Sequence, residues 1–206
     1  MNEYLESINP KKTNDLIDSI LIQAKELDTP IIQEDAINLM IQIIKIKNAR
    51  SILEIGSAIG YSSIMMASFT NASIVTIERD TESYLLAKEN IAKANLDSKI
   101  KIINADACEY NLSEDYCCDL LFIDAAKSQY VKFFEKYEKH LNPKGIIITD
   151  NLLFHGFVEK KERIESKNKR QLVNKIRKFN NYLADNELYD TYIYDIGDGI
   201  SISIKK

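Results

Sequence analysis

The chain has 206 residues, of which 45% are hydrophobic and 28% are charged, and its formal net charge is −4. This composition is typical of one globular domain with a sizeable core, and it excludes a disordered chain. A negative net charge argues against bulk affinity for nucleic acid. Residues 159–178 differ, with nine Lys or Arg and three Glu. They are interpreted either as the solvated face of a helix or as a basic ridge beside an acidic site.

The three cysteines, Cys108, Cys117 and Cys118, lack the spacing of a zinc site or of a disulfide framework. We interpret them as reduced thiols of a cytoplasmic protein. The first residues lack the basic and apolar regions of a signal peptide, and no apolar run approaches the length of a membrane span. The sequence therefore predicts a cytoplasmic protein that does not associate with membranes.

Two helices, over 13–27 and 33–47, are predicted before the first strand, as a cover or a partner surface. Strands and helices then alternate, with no clear helical period in 104–118. The strands are predicted at 51–55, 72–78, 99–103, 119–124 and 146–149, and the helices at 61–69, 81–94, 129–141 and about 166–186. Two more strands are predicted at 191–196 and 200–204.

The alternation of strands and helices implies parallel strands with right-handed crossovers. The last two strands are joined only by Gly197, Asp198 and Gly199, a connection that permits only an antiparallel hairpin. The sequence thus predicts an α/β fold with a Rossmann-like, doubly wound sheet, mostly parallel with a C-terminal antiparallel hairpin. It predicts one domain over 1–206, with 1–48 as a helical cover and 49–206 as the α/β core.

The first predicted strand runs into a glycine-rich turn and then a helix, as in dinucleotide-binding folds. The pattern G-x-G-x-x-G would require glycine at three positions, and only Gly56 matches, because Ala58 and Tyr61 occupy the other two. Glu54 lies inside the strand end. An acid there disfavours a pyrophosphate and favours a ligand that carries an ammonium or sulfonium charge.

Five consecutive parallel strands are predicted to end at or near an acidic residue. These acids are Glu54, Glu78, Asp106, Asp124 and Asp150. Any one of them could cap a helix, but five in succession indicate a binding site, because ligands of open α/β sheets bind at the carboxyl ends of strands. Glu78 could accept hydrogen bonds from ribose hydroxyls, and Asp106 could meet an adenine edge. The pattern predicts a pocket for an adenosine with a positively charged tail.

A second group of candidate residues suggests a metal site. Asp124, Asp150 and Asn151 offer the oxygen ligands that magnesium or calcium prefers, although a turn after a strand would also explain the last two. Lys127 follows Asp124 closely and is interpreted as a general base or as a surface lysine. His155 is interpreted as an incidental loop residue or as part of a substrate mouth.

Four segments, 53–62, 77–79, 122–127 and 148–151, carry a resemblance to a known family. With them, the chain from about residue 30 to its C-terminus resembles the cation-dependent O-methyltransferases that use S-adenosylmethionine, which include catechol and caffeoyl-CoA O-methyltransferases. The resemblance implies the sheet of class I methyltransferases, a divalent cation such as Mg²⁺ and a homodimer.

Within that family, the chain is most similar to the bacterial enzymes that methylate 5-hydroxyuridine at the wobble position of tRNA. Segments 123–130, 149–156 and 197–200 and the basic run before Leu172 carry this likeness. The resemblance implies that Lys127 and Asp124 act in catalysis and that Asp124, Asp150 and Asn151 bind the metal. The implied S-adenosylmethionine site consists of Ile32, Glu54, Gly56, Ser57, Ser62, Glu78, Asp106, Ala107 and Asp124.

Three functions remain open from the sequence. The first is methylation of tRNA, and the second is methylation of small catechol-like or phenolic metabolites, because a metal can hold two neighbouring oxygens whatever molecule carries them. The third is adenosine binding in a regulatory protein without catalysis. Lys127 and the intact set of oxygen ligands argue against the third.

Overall fold

The computed structural model describes residues 3–159 and 164–206, and a seven-stranded sheet forms its centre. The helices are α1 (Glu3–Ile8), α2 (Asp15–Glu26), α3 (Glu34–Lys47), α4 (Tyr61–Phe69), α5 (Thr81–Lys93), α6 (Tyr130–Tyr137) and α7 (Lys167–Asp185). The strands are β1 (Ser51–Ile55), β2 (Ser73–Glu78), β3 (Ile100–Asn104), β4 (Cys118–Ile123), β5 (Leu141–Thr149), β6 (Tyr189–Tyr194) and β7 (Ile200–Lys205). Within the described part of the chain, no helix is long and apolar enough to cross a membrane.

The strand order is β3-β2-β1-β4-β5-β7-β6. The first five strands pair in parallel, and β7 runs antiparallel to both β5 and β6. This arrangement confirms the predicted doubly wound, mostly parallel sheet with a C-terminal antiparallel hairpin. The order of the strands reverses between β1 and β4, and such a switch point is where open α/β sheets bind ligands.

Helices cover both faces of the sheet, which explains why its central strands are continuous apolar runs. Alternate residues of β1 show the two layers. Ile52 packs into a cluster with the buried sides of α2, α3 and α4. Leu53 and Ile55 face a second cluster, to which α6 and α7 contribute Phe134 and Phe179.

The boundaries of three predicted elements were wrong. The fifth strand starts at Leu141 and not at 146, because the predicted turn over 142–145 stays in the strand as an irregularity with Lys144 at φ 59°. The sixth spans Tyr189–Tyr194 and not 191–196, because Tyr189 pairs with Lys205 of β7. The helix predicted over 129–141 is shorter, with a 3₁₀ turn at each end of α6. The prediction also missed α1.

The amino ends of three central strands are tied together by Asp119. Its carboxylate accepts hydrogen bonds from the backbone N–H groups of Arg50 (2.7 Å) and Ser51 (3.1 Å) and from the side-chain amide of Asn142 (2.8 Å). Burial raises the pKa of Asp119, but these hydrogen bonds outweigh it and lower the pKa below its ordinary value of 3.8. The charged form of Asp119 therefore stabilises the fold at the end of the sheet opposite the switch point.

Candidate active site

A cavity of about 370 Å³ opens at the carboxyl ends of the central strands, beside the switch point. Most of the predicted site residues line it. They are Ile32, Gly56, Ser57, Ser62, Glu78, Asp106, Ala107, Asp124, Lys127 and Asn151. Glu54 and Asp150 are buried and do not belong to its lining. The structure thus brings residues from distant parts of the chain together around one space.

The turn after β1 has a backbone that only glycine adopts readily. Gly56 lies at φ +91°, and its N–H donates to the carbonyl of Ile77 (2.9 Å). A Cβ at this position would lie 2.9 Å from the carbonyl carbon of Asp124 and closer still to the carbonyl oxygen. The ends of β1 and β4 therefore approach each other backbone to backbone, and this contact forms one wall of the cavity.

Glu54 is fully buried behind the cavity wall, and its carboxylate accepts hydrogen bonds from the hydroxyls of Ser62 and Ser63 on α4. Burial raises the pKa of Glu54, the serine hydrogen bonds lower it, and the nearby Glu78 raises it further. Sequence reasoning placed Glu54 against the charged part of a ligand. That role stays a prediction, and in the structure Glu54 also holds Ser62, which lines the cavity.

Glu78 lies at the end of β2, where a ribose was predicted. Its carboxylate accepts hydrogen bonds from the backbone N–H groups of Ala58 (3.0 Å) and Asp80 (2.8 Å). A carboxylate has about four lone-pair sites, so Glu78 keeps acceptor capacity toward the cavity. Its neighbour Asp106 is exposed and accepts the N–H of Cys108 (2.7 Å). These two acceptors are held in place by backbone donors before any ligand binds.

The hydroxyl of Ser57 is buried in the cavity wall and has no hydrogen-bond partner in the described part of the chain. Buried polar groups are nearly always hydrogen-bonded, so an unsatisfied one in a cavity wall suits a polar ligand. Together with the close backbone approach at Gly56, this hydroxyl fits a nucleoside-type cofactor at this end of the cavity.

The other end of the cavity is built by the ends of β4 and β5. Their parallel register pairs Ile123 with Thr149, so Asp124 and Asp150 follow side by side. Asn151 has a left-handed backbone with φ 62°, and its N–H donates to the carboxylate of Asp150 (2.7 Å). The side-chain amide oxygen of Asn151 accepts a hydrogen bond from the ammonium group of Lys127. Four predicted residues thus meet at one place.

Burial disfavours the charged form of both carboxylates at this end. Burial raises the pKa of Asp124 most, Lys127 lowers it, and Glu54 raises it. For Asp150, burial is again the largest cause of a raised pKa, followed by the charge of Asp124. Two buried carboxylates with raised pKa values, beside an amide oxygen, are a donor set that a hard divalent cation fits. In residues 3–159 and 164–206, no three His, Cys, Asp or Glu side chains group as a metal site.

Asp198 is a site residue that sequence reasoning missed. It is buried in the turn between β6 and β7, lines the cavity, and raises the pKa values of both Asp124 and Asp150. Its carboxylate accepts the backbone N–H of His155, whose imidazole Nδ1 lies 3.8 Å from the same oxygen. The turn 197–199 was visible in the sequence, but only the pairing of β7 with β5 brings it here.

Comparisons with known proteins agree with this geometry. The model of a family described as O-methyltransferase matches residues 14–206. An Arabidopsis thaliana protein named as a caffeoyl-CoA O-methyltransferase is 34% identical over 182 residues, covering 86% of this chain and 77% of that one.

Two solved structures have the same fold. A Staphylococcus aureus protein, described as a caffeoyl-CoA O-methyltransferase, has a TM-score of 0.93 and 37% identity, covering 99% of this chain and 98% of that one. The O-methyltransferase from Bacillus cereus, solved in complex with S-adenosylhomocysteine (SAH), has a TM-score of 0.83 and 23% identity, covering 100% and 96%. At 23% identity, the similarity to the Bacillus cereus protein shows a shared fold and no more. The chain therefore belongs to the cation-dependent O-methyltransferase family and is a methyltransferase that uses S-adenosylmethionine.

Proposed function

We propose that this protein is a magnesium-dependent O-methyltransferase that acts on 5-hydroxyuridine at the wobble position of tRNA and forms 5-methoxyuridine. The observation that carries the proposal is the meeting of Lys127 with Asp124, Asp150 and Asn151 at one end of the cavity. That end offers a base and an oxygen ligand set, while the opposite end offers the features of a nucleoside site.

The nucleoside end would hold S-adenosylmethionine. Glu78 would accept hydrogen bonds from ribose hydroxyls, Asp106 would meet the adenine edge, and Ser57 would gain the partner that it lacks. Ser62, Gly56, Ile32, Ala107 and Asp124 would complete the walls. When bound, S-adenosylmethionine supplies an electrophilic methyl group to a deprotonated hydroxyl oxygen.

Asp124, Asp150 and Asn151 would hold the divalent cation. When bound, it supplies positive charge that favours the deprotonated form of a neighbouring hydroxyl. Lys127 would take the proton of that hydroxyl in its neutral amine form, and its hydrogen bond to the amide oxygen of Asn151 places it beside the proposed metal ligands. The walls of the cavity would hold the acceptor close to the methyl donor, and such positioning supplies much of the rate in a transfer of this kind.

The choice of tRNA as substrate is supported by the resemblance in segments 123–130, 149–156 and 197–200 and by the positive charge of residues 159–178. Part of that basic segment, 160–163, lies outside the described residues. The homodimer and the cytoplasmic location stay predictions.

A second candidate function is methylation of small catechol-like or phenolic metabolites. The name of the Arabidopsis relative favours it, and the acceptor end is equally compatible with two neighbouring oxygens on a phenol. The two functions differ in whether the methylated ring is part of an RNA.

The two candidate functions are separated by supplying the purified protein with S-adenosylmethionine, Mg²⁺ and one of two acceptors, tRNA or catechol, and measuring turnover. We expect transfer to tRNA that contains 5-hydroxyuridine, with little transfer to free catechol. A chelator should stop the reaction, and Asp124→Ala should abolish it. Robust turnover of catechol with none on tRNA would select the second function. Full activity of Asp124→Ala would remove the proposed metal site.

A further inference from the structure

One face of α7 carries only positive charge. Its exposed cations recur at helical spacing, opposite a buried apolar stripe. The exposed cations of this face are Lys167, Arg170, Lys175 and Lys178, and the buried stripe is Val173, Ile176, Phe179 and Leu183. No acid occurs on α7 before Asp185. Among the described residues, no ion pair involves these four cations, although Arg170 donates to the carbonyl of Ile164 (3.0 Å). We call this surface the α7 basic face.

The start of α7 opposes the helix dipole. Its first turn contains Lys167, Lys169 and Arg170 and no acid. Cations are unfavourable there because the amino end of a helix carries partial positive charge. The same chain follows the stabilising rule elsewhere, with Asp15 in the first turn of α2 and Glu34 in that of α3. Cations in the first turn of α7 do not stabilise a helix that only faces solvent. A polyanionic partner would offset their repulsion by the helix dipole.

The helix is anchored to the acceptor end of the cavity. Arg177 donates a hydrogen bond to the backbone carbonyl of Val158 (3.0 Å). The side-chain amide of Asn180 donates a hydrogen bond to the backbone carbonyl of Leu152 (3.1 Å). Both carbonyls belong to the turn after Asn151, which also places His155 on the cavity wall. The α7 basic face therefore belongs to an element fixed beside the place where an acceptor would enter. It extends for about 16 Å at the helical rise of ~1.5 Å per residue.

We propose that the α7 basic face docks the phosphate backbone of the tRNA substrate while the target base enters the cavity. This inference rests on the proposed function and names the surface that holds the RNA. Contacts between Lys or Arg and phosphates supply most of the affinity for nucleic acid without reading its sequence. Because the whole chain is acidic, with a net charge of −4, RNA would be repelled elsewhere and oriented by this face.

The test compares two triple variants with the same loss of charge. One removes lysines of the α7 basic face, as Lys167→Gln, Lys175→Gln and Lys178→Gln. The matched control removes exposed lysines of α2, α3 and α5, as Lys25→Gln, Lys45→Gln and Lys88→Gln. Kinetics on tRNA that contains 5-hydroxyuridine are measured across a salt series, with affinity for SAH and the melting temperature as further readouts.

For the α7 variant, we expect the KM for tRNA to rise at least ~10-fold and the slope of log(kcat/KM) against log salt to become shallower by about 2. Its kcat, SAH affinity and melting temperature should match those of the control. An unchanged KM and salt slope, with wild-type protein active on tRNA, would overturn the docking surface and leave the proposed function standing. Wild-type protein inactive on tRNA would instead remove the proposed function. Binding of both variants to vesicles with anionic lipid is measured as well. If the α7 variant kept its KM for tRNA and lost only vesicle binding, the face would belong to a membrane contact, and the proposal would also be overturned.

Discussion

Gly56→Ala should both destabilise the protein and weaken cofactor binding. At φ +91°, any other residue is strained by about 1–2 kcal/mol. The new Cβ would also press on the backbone carbonyl of Asp124, which cannot move unless β1 and β4 separate. Overpacking of this kind destabilises by about 1–3 kcal/mol. We expect a total of about 3 kcal/mol, or a fall in Tm of ~6–12 °C for a domain of this size.

The matched control is Gly156→Ala. Gly156 also has a positive φ of +73°, but nothing lies within 4 Å of an added Cβ. This variant should show only the backbone strain, a loss of about 1–2 kcal/mol. Thermal melts and calorimetric titration with SAH measure both effects. If Gly56→Ala has the same Tm as Gly156→Ala and binds SAH like the wild type, then the close approach of the two strand ends does not form the cavity wall.

Three further outcomes are expected. Lys127→Met should lower kcat by about 10²–10⁴-fold while SAH affinity stays the same, and an unchanged kcat would deny Lys127 its role as base. Asp198→Ala should raise the KM for the acceptor, because the N–H of His155 loses its acceptor, and a KM like that of the wild type would contradict this. Since the fold lowers the pKa of Asp119, its stabilisation is present at neutral pH and disappears as the pH falls through the folded value. The Tm difference between wild type and Asp119→Asn should therefore shrink as the pH falls below ~4, and a difference that grew in acid would contradict the assignment.

The parallel core could be predicted from sequence because local signals specify it. Each central strand is a short apolar run followed by a helix, and that alternation leaves few possible topologies. The same reasoning placed Asp124 and Asp150 together, because neighbouring parallel strands end at the same edge of the sheet. The fold confirms that placement through the register of Ile123 with Thr149.

Other features depend on contacts that no local pattern encodes. Asp198 reaches the site only because β7 inserts between β5 and β6, and a hairpin signal does not say which strand the hairpin joins. The hydrogen bonds that Glu54 accepts from Ser62 and Ser63 were also not predicted, because they depend on how α4 lies against the end of β1. Lys144 adopts a positive φ inside β5. Its surroundings resemble a turn in sequence, so the predicted start of this strand was too late.

If the proposed function holds, the protein transfers a methyl group to the hydroxyl of a tRNA uridine at a metal-dependent site. The most direct measurement is mass spectrometry of nucleosides from tRNA that contains 5-hydroxyuridine, after incubation with the protein, methyl-labelled S-adenosylmethionine and Mg²⁺. We expect labelled 5-methoxyuridine, which is absent when a chelator replaces Mg²⁺. Labelled 5-methoxyuridine at full yield in the chelator, or no labelled nucleoside under any metal condition, would contradict the account.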